Sequence, residues 1–172
     1  NSLIPLLKQI GINYLAPCDA TNLPFEQNSF DFHISSNVFE HIPKSILEGI
    51  MKESKRIVIK EGTFIHGIDY SDHFSHSDKN ISPINFLKFS SEEFNSLAGN
   101  RYMYMNRMRD DDFQELFDNL KFNTVYKEEE INEELLKLLN KKDDSLILHD
   151  DFSRKDKKTL ANLHTWYALK YN

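Results

Sequence analysis

Histidine and aspartate crowd one stretch of this sequence. Residues 66–78, His66-Gly67-Ile68-Asp69-Tyr70-Ser71-Asp72-His73-Phe74-Ser75-His76-Ser77-Asp78, carry three of each. Histidine changes charge near neutral pH, which suits it to taking a proton from a reacting hydroxyl or amine. His73 is the candidate base, and Asp69 is its orienter or a group that binds the reaction partner. The same side chains could offer nitrogen and oxygen to a metal, and a metal-dependent hydrolase built on His66, Asp69, His73 and His76 is one reading. Their spacing matches no closed site, since structural zinc takes tightly spaced, Cys-rich sets. The plain alternative is a solvated loop.

A second stretch, Cys18 to His41 (CDATNLPFEQNSFDFHISSNVFEH), holds further candidates. Phe30, Phe32 and Ile34 alternate with Asp31, His33 and Ser35, the period of a strand. Ser35-Ser36-Asn37 ends that strand with small polar groups. Open α/β sheets bind ligands beyond the carboxyl ends of their strands, which makes this turn a place for chemistry. Asp19 could accept a hydrogen bond from an amine, and Ala20 permits close approach; the bland alternative for Asp19 is a cap on its own turn. Glu40 and His41 are neighbours, so on a helix they diverge by about 100° and do not both face one ligand. A surface Glu beside a half-buried His is their ordinary reading.

The elements that must position these groups follow from pattern. Leu3, Ile4, Leu7 and Ile10 recur at helical spacing, with Gly11 as C-terminal cap. Ile12–Ala16 is a short apolar strand candidate. Pro43 opens a helix whose stripe is Ile46, Leu47, Ile50 and Met51. Thr63–Asp69 reads as a buried strand and Tyr70–Lys88 as a long polar loop, a length usually functional or disordered. Ser90 and Glu93 form a capping box for a helix ending near Gly99. Asp110–Asp112 favour a helix start, and Phe113, Leu116, Phe117 and Leu120 give that helix its apolar face. Phe122–Lys127 is a strand, Ile131–Leu139 and Leu160–Leu163 are helices, and Thr165–Tyr171 alternates as a closing strand. Strands interleaved with helices mean an α/β fold.

Composition sets the outer limits. A chain of 172 residues is one domain, 1–172, with residues 70–110 inserted on the substrate side. Its net charge of −6 argues against a nucleic-acid partner, and no apolar run reaches the ~20 residues that span a bilayer. The single cysteine fits a reducing, cytoplasmic compartment. Arg101–Arg109 mixes aromatics, Met and Arg and is expected to cover a binding pocket, with Arg107 and Arg109 on the surface. The runs Lys127–Glu130 and Lys141–Asp144 are expected to be solvated.

Asp19-Ala20, Leu23-Pro24-Phe25, Ser29-Phe30-Asp31, Ser35-Ser36-Asn37 and Glu40-His41, in that order, resemble the middle of a class I S-adenosylmethionine-dependent methyltransferase. Arg56-Ile57 with Lys60–Phe64 resembles that family's helix end and the turn before its fifth strand, with Glu61 and Thr63 where Pro and a second Gly are usual. The resemblance implies a partial Rossmann-like sheet of strands 3 to 7 and S-adenosylmethionine as cofactor. It implies that Asp19 and Ala20 meet the adenine, and that Ser35, Ser36, Asn37 and His41 line the methionine end. In some quinone-pathway members a similar Glu-His pair holds a divalent cation; no metal is assigned to this sequence. The implied acceptor is a small molecule, a glycan or a lipid precursor. Strands 1 and 2 and their glycine-rich turn have no counterpart, because Gly11, Gly49, Gly62, Gly67 and Gly99 are isolated. The chain also begins with Asn. It is therefore expected to be a fragment that binds cofactor poorly by itself, with Ile12–Ala16 needing a preceding segment or a new neighbour. A non-catalytic interaction module is the remaining alternative.

Overall fold

The computed structural model describes residues 3–99, 104–141 and 146–171. Arg101, Tyr102 and Met103 of the mixed aromatic stretch, and Lys142–Asp144 of the second charge run, lie outside the described residues. Helices α1 (Leu3–Gln9), α2 (Lys44–Ile57), α3 (Phe74–Ser77), α4 (Ser91–Ala98), α5 (Asp110–Asn119), α6 (Glu133–Lys141), α7 (Asp150–Ser153) and α8 (Lys157–Ala161) alternate with four strands. These are β1 (Phe30–Ser36), β2 (Val58–Asp69), β3 (Phe122–Ile131) and β4 (Asn162–Tyr171), in sheet order β1-β2-β4-β3. β1 and β2 are parallel, while β4 runs antiparallel to both β2 and β3.

Alternation decides which side of the sheet is buried. Phe64 and Ile68 of β2 share a face with Thr165, Tyr167 and Leu169 of β4, and all five are buried. Leu47 and Met51 of α2 join them in one core with Phe113, Leu116 and Phe117 of α5. Each such side chain contributes about 1.5–3 kcal/mol through burial. The opposite parity is open: Phe32 is 57% exposed and Ile34 62%. A second core joins Ile84, Phe86 and Leu87 to Phe94, Leu135, Phe152 and Leu160.

Three expectations change. Ile12–Ala16 forms no strand, and Ile12, Tyr14 and Leu15 are exposed. With no strand alongside it has no ladder, and the Ile12 N–H donates to the Leu7 carbonyl at 2.9 Å. The turn expected over Lys60–Phe64 is instead a bulge within β2: Phe30 pairs with Val58 and Phe32 with Thr63. Gly62 permits it, because a Cβ there would lie 2.8 Å from the Asp31 carbonyl oxygen. The segment Tyr70–Lys88 is no plain solvated loop, since it carries α3, a 3-10 turn at Asn85–Lys88, and buried Tyr70, Ile84, Phe86 and Leu87. The Ser90–Glu93 capping box forms as expected.

Arg107 and Arg109 are interior, not surface, residues. Arg109 donates to the carbonyls of Tyr70, Leu160 and Asn162, joining the end of β2 to the start of β4. Burial lowers its pKa to about 10, which still leaves it charged at neutral pH. Next to it, Asp110 accepts from Tyr167 Oη at 2.5 Å, Thr165 Oγ1 at 3.1 Å and Lys127 Nζ at 2.6 Å. Lys127 is thereby drawn out of its otherwise exposed run. Arg109→Met would leave three buried carbonyls without donors, so urea unfolding should show a loss of about 3 kcal/mol or more, with the far-UV spectrum retained at zero denaturant.

Candidate functional site

The parallel pairing of β1 and β2, with Ser36 opposite Gly67, sets their carboxyl ends side by side. Beyond Ser36, Asn37 takes φ 54°, a left-handed value that Asn tolerates, and its N–H donates to the Gly67 carbonyl at 2.9 Å. The chain then folds into a 3-10 turn, Phe39–His41. Asn106 clamps that turn: its amide nitrogen Nδ2 donates to the carbonyls of Phe39 and Ile42, and its backbone N–H to that of Glu40.

The clamp reverses the expected burial of the Glu-His pair. Glu40 is 2% exposed and neither carboxylate oxygen has a hydrogen-bond partner, so burial pushes its pKa up. His41 is the exposed member, with Nδ1 held 3.0 Å from the Tyr104 carbonyl oxygen and Nε2 3.8 Å from Glu40 Oε1. The two side chains also converge, contrary to the divergence expected on a helix. One ligand atom each from Glu40, His41 and His73 all lie within 4.8 Å of one another, a set that could hold a metal ion.

His73 Nε2 stands 3.5 Å from Asp69 Oδ2, an ion-pair distance longer than a hydrogen bond. The neighbouring Asp69 carboxylate raises the His73 pKa above its ordinary value. Burial works to raise Asp69, but contacts with His73 and Ser71 outweigh it and hold Asp69 down to about 2. Ser71 supplies two of those contacts, its N–H at 2.7 Å and its Oγ at 2.6 Å from Asp69 Oδ1. His76 Nε2 lies 2.7 Å from Ser71 Oγ, so the sequence-predicted Asp69, His73 and His76 meet in one cluster.

His66 does not join them. It is fully buried, its ring stacked on Phe39 at 4.4 Å, and its Nδ1 lies 2.8 Å from Ser35 Oγ. Burial, then His33, drives its pKa well down, so His66 is a neutral support for Ser35. The four-residue hydrolase set is therefore not assembled. Ser36 and Asn37 are exposed at the same sheet edge as Ser35. Asp19 accepts from Thr21 N–H at 2.9 Å and Thr21 Oγ1 at 2.7 Å, with Ala20 exposed beside it. That is the self-capping arrangement, and its loop is tied to α2 through Glu53 Oε1, which accepts from the Leu23 N–H. Asn106 falls within the Arg101–Arg109 stretch expected to cover a pocket, whereas no local signal marks His164, whose Nε2 lies 3.3 Å from Asn37 Oδ1.

Two cavities flank the Asp69–His73 pair. One of about 380 Å³ lies between Asp69, Ser71, His76, Lys79, Glu130 and His164. The other, about 150 Å³, runs from His41 and His73 towards Phe86, Phe94 and Met105.

Residues 6–66 match the family model described as a methyltransferase domain. Over that segment the chain is similar to methyltransferase domains. No curated protein matches the chain. Solved structures share its fold. A protein from Pyrococcus horikoshii OT3 aligns over 98% of this chain and 64% of its own, with TM-score 0.56 and 16% identity. A SAM-dependent methyltransferase from Methanosarcina mazei aligns over 99% and 78%, with TM-score 0.53 and 14% identity. Geranyl diphosphate C-methyltransferase from Streptomyces coelicolor A3(2), in complex with Mg2+, geranyl diphosphate and S-adenosyl-L-homocysteine, aligns over 98% and 59%, with TM-score 0.55 and 8% identity. The chain thus spans less than two thirds of the first of these. Among the described residues no helix is long and apolar enough to cross a membrane.

The electrostatics of this methyltransferase-like edge can be checked directly. Asp69→Asn removes the largest influence raising His73, while burial still lowers it and Glu40 and Asp72 still raise it. An NMR pH titration of the His73 ring should then show its pKa fall relative to the wild-type protein.

Proposed function

We propose that the protein is an S-adenosylmethionine-dependent methyltransferase acting on a small-molecule hydroxyl or amine. Residues 70–110 form the acceptor side. The observation that carries this reading is the placement of the His73–Asp69 pair next to the Ser35–Asn37 turn, at the shared carboxyl edge of two parallel strands. The methyltransferase-family segment ends at residue 66, inside β2 and just before that pair.

The residues fit part of the cofactor. Ser36 and Asn37 offer a hydroxyl and an amide on an exposed turn, and Ser35 is braced by His66. Asp19 spends one carboxylate oxygen, Oδ1, on Thr21. Asp19, Ala20, Ser35, Ser36, Asn37 and His41 would hold the cofactor, whose glycine-rich cradle these residues do not supply. When bound, S-adenosylmethionine presents a methyl group made electrophilic by its sulfonium. Neutral His73 takes the acceptor's proton. Asp69 orients that ring and stabilises its charged form. Holding reactants aligned can lower a barrier by about 7–11 kcal/mol, so positioning is the larger share of the work.

Since only neutral His73 accepts a proton and its pKa is raised, turnover should climb with pH through a limb above the ordinary histidine value. Methyl transfer from labelled S-adenosylmethionine, supplied at millimolar concentration with a small-molecule extract, tests the proposal. Transfer should drop about 10²–10⁴-fold in His73→Ala, while Ser35→Ala should mainly weaken cofactor binding. Absence of both transfer and saturable S-adenosylhomocysteine binding by calorimetry would favour the interaction-module alternative.

A further inference from the structure

The cavity beside His73 has two unlike ends. At one end stand the imidazoles of His41 and His73, ring centroids 4.9 Å apart. The far walls are Phe74, Phe86, Phe94, Ala98 and Met105, which carry no side-chain hydrogen-bonding group except a thioether. Asp72 also lines it, but its carboxylate is occupied: Oδ1 accepts from the Phe74 N–H at 3.0 Å and Oδ2 from Asn85 Nδ2 at 3.3 Å. That leaves few free polar groups, and they are gathered at the histidine end. His73 Nε2 is buried and has no hydrogen-bond partner.

The walls are held in place independently of any ligand. Arg107 donates to the carbonyls of Phe86 and Phe89 and to Ser91 Oγ, and its guanidinium lies 4.5 Å from the Phe94 ring centroid. Phe86, Phe94, Ala98 and Met105 belong to the second core. Size then limits the occupant. The slot is about 150 Å³, and an apolar cavity of about that volume takes one benzene ring. A second hollow of about 280 Å³ shares Phe74, Phe86, Phe94 and Ala98 with it and leaves room for a further apolar substituent.

We propose that this slot binds the acceptor, and that the acceptor is a compact apolar ring or chain bearing a hydroxyl at one end, of the phenol class. The word acceptor rests on the methyltransferase reading; the binding itself does not. The ring lies among Phe74, Phe86 and Phe94, and its hydroxyl lies at the His41–His73 end. A glycan is refused, because its remaining hydroxyls would face Phe86, Phe94 and Ala98 unpaired, each costing on the order of tenfold in affinity.

Ligand-observed NMR titration of the full chain with phenol, cyclohexanol and myo-inositol, in the absence of cofactor, tests this. Cyclohexanol and inositol share a six-carbon ring and differ in their hydroxyls. Phenol and cyclohexanol should saturate, with inositol at least tenfold weaker. Ala98→Phe, which fills the slot, should weaken phenol at least tenfold. Phe74→Asp should do the same, and because Phe74 is half-exposed that change leaves the second core intact. Inositol binding as well as cyclohexanol, or phenol binding unchanged in both variants, would overturn the slot. Phenol binding without methyl transfer would uphold the slot while removing the methyltransferase reading. Methylation of a polar acceptor by Ala98→Phe at the wild-type rate would do the opposite.

Discussion

One buried guanidinium holds the two ends of the molecule's working edge together. Arg109 takes the carbonyl of Tyr70, the residue after β2, and those of Leu160 and Asn162, where α8 becomes β4. These carbonyls lie where regular structure stops and no ladder can supply their hydrogen bonds. The adjacent Asp110 collects Tyr167, Thr165 and Lys127 from β4 and β3. A charge with several donors to place, surrounded by acceptors with nowhere else to turn, fixes the take-off direction of the chain that carries Ser71, Asp72 and His73. The loop's histidines can therefore be aligned without a regular element of any length beneath them.

Environment then divides chemically similar groups into different tasks. Asp69 and Glu40 are both acids close to His73, yet contacts with His73 and Ser71 hold the first ionised while burial pushes the second towards its neutral form. His66 and His73 are both imidazoles on or just beyond the same strand. The first is enclosed by Phe39 and Phe117 and kept uncharged, and the second is drawn up by a carboxylate. Such divergence between neighbours separates supporting groups from those that exchange protons.

Much of this was legible in the residue order, and what was not had a physical reason. The β1 and β4 alternations, the α5 stripe and the Ser90 cap are local signals, and they survive into the fold. Ile12–Ala16 reads as a strand because propensity is local, but strand formation is a property of pairs. The burial of Glu40 rests on Asn106, far away in sequence, so nothing near Glu40 announces it. Arg107 and Arg109 look like surface cations until their carbonyl partners are known. Asp69 and His73 lie four residues apart, so their proximity is readable locally; His164 reaches Asn37 only through the tertiary fold.

The uncovered side of the sheet has a practical consequence. Among the described residues β1 lies at the sheet edge, with Phe32 and Ile34 exposed. Such an edge is a template for any extended chain that meets it. The net charge of −6 opposes these encounters by mutual repulsion, which dissolved ions screen. Added salt therefore weakens the repulsion that keeps exposed apolar side chains such as Phe32 and Ile34 of separate molecules apart.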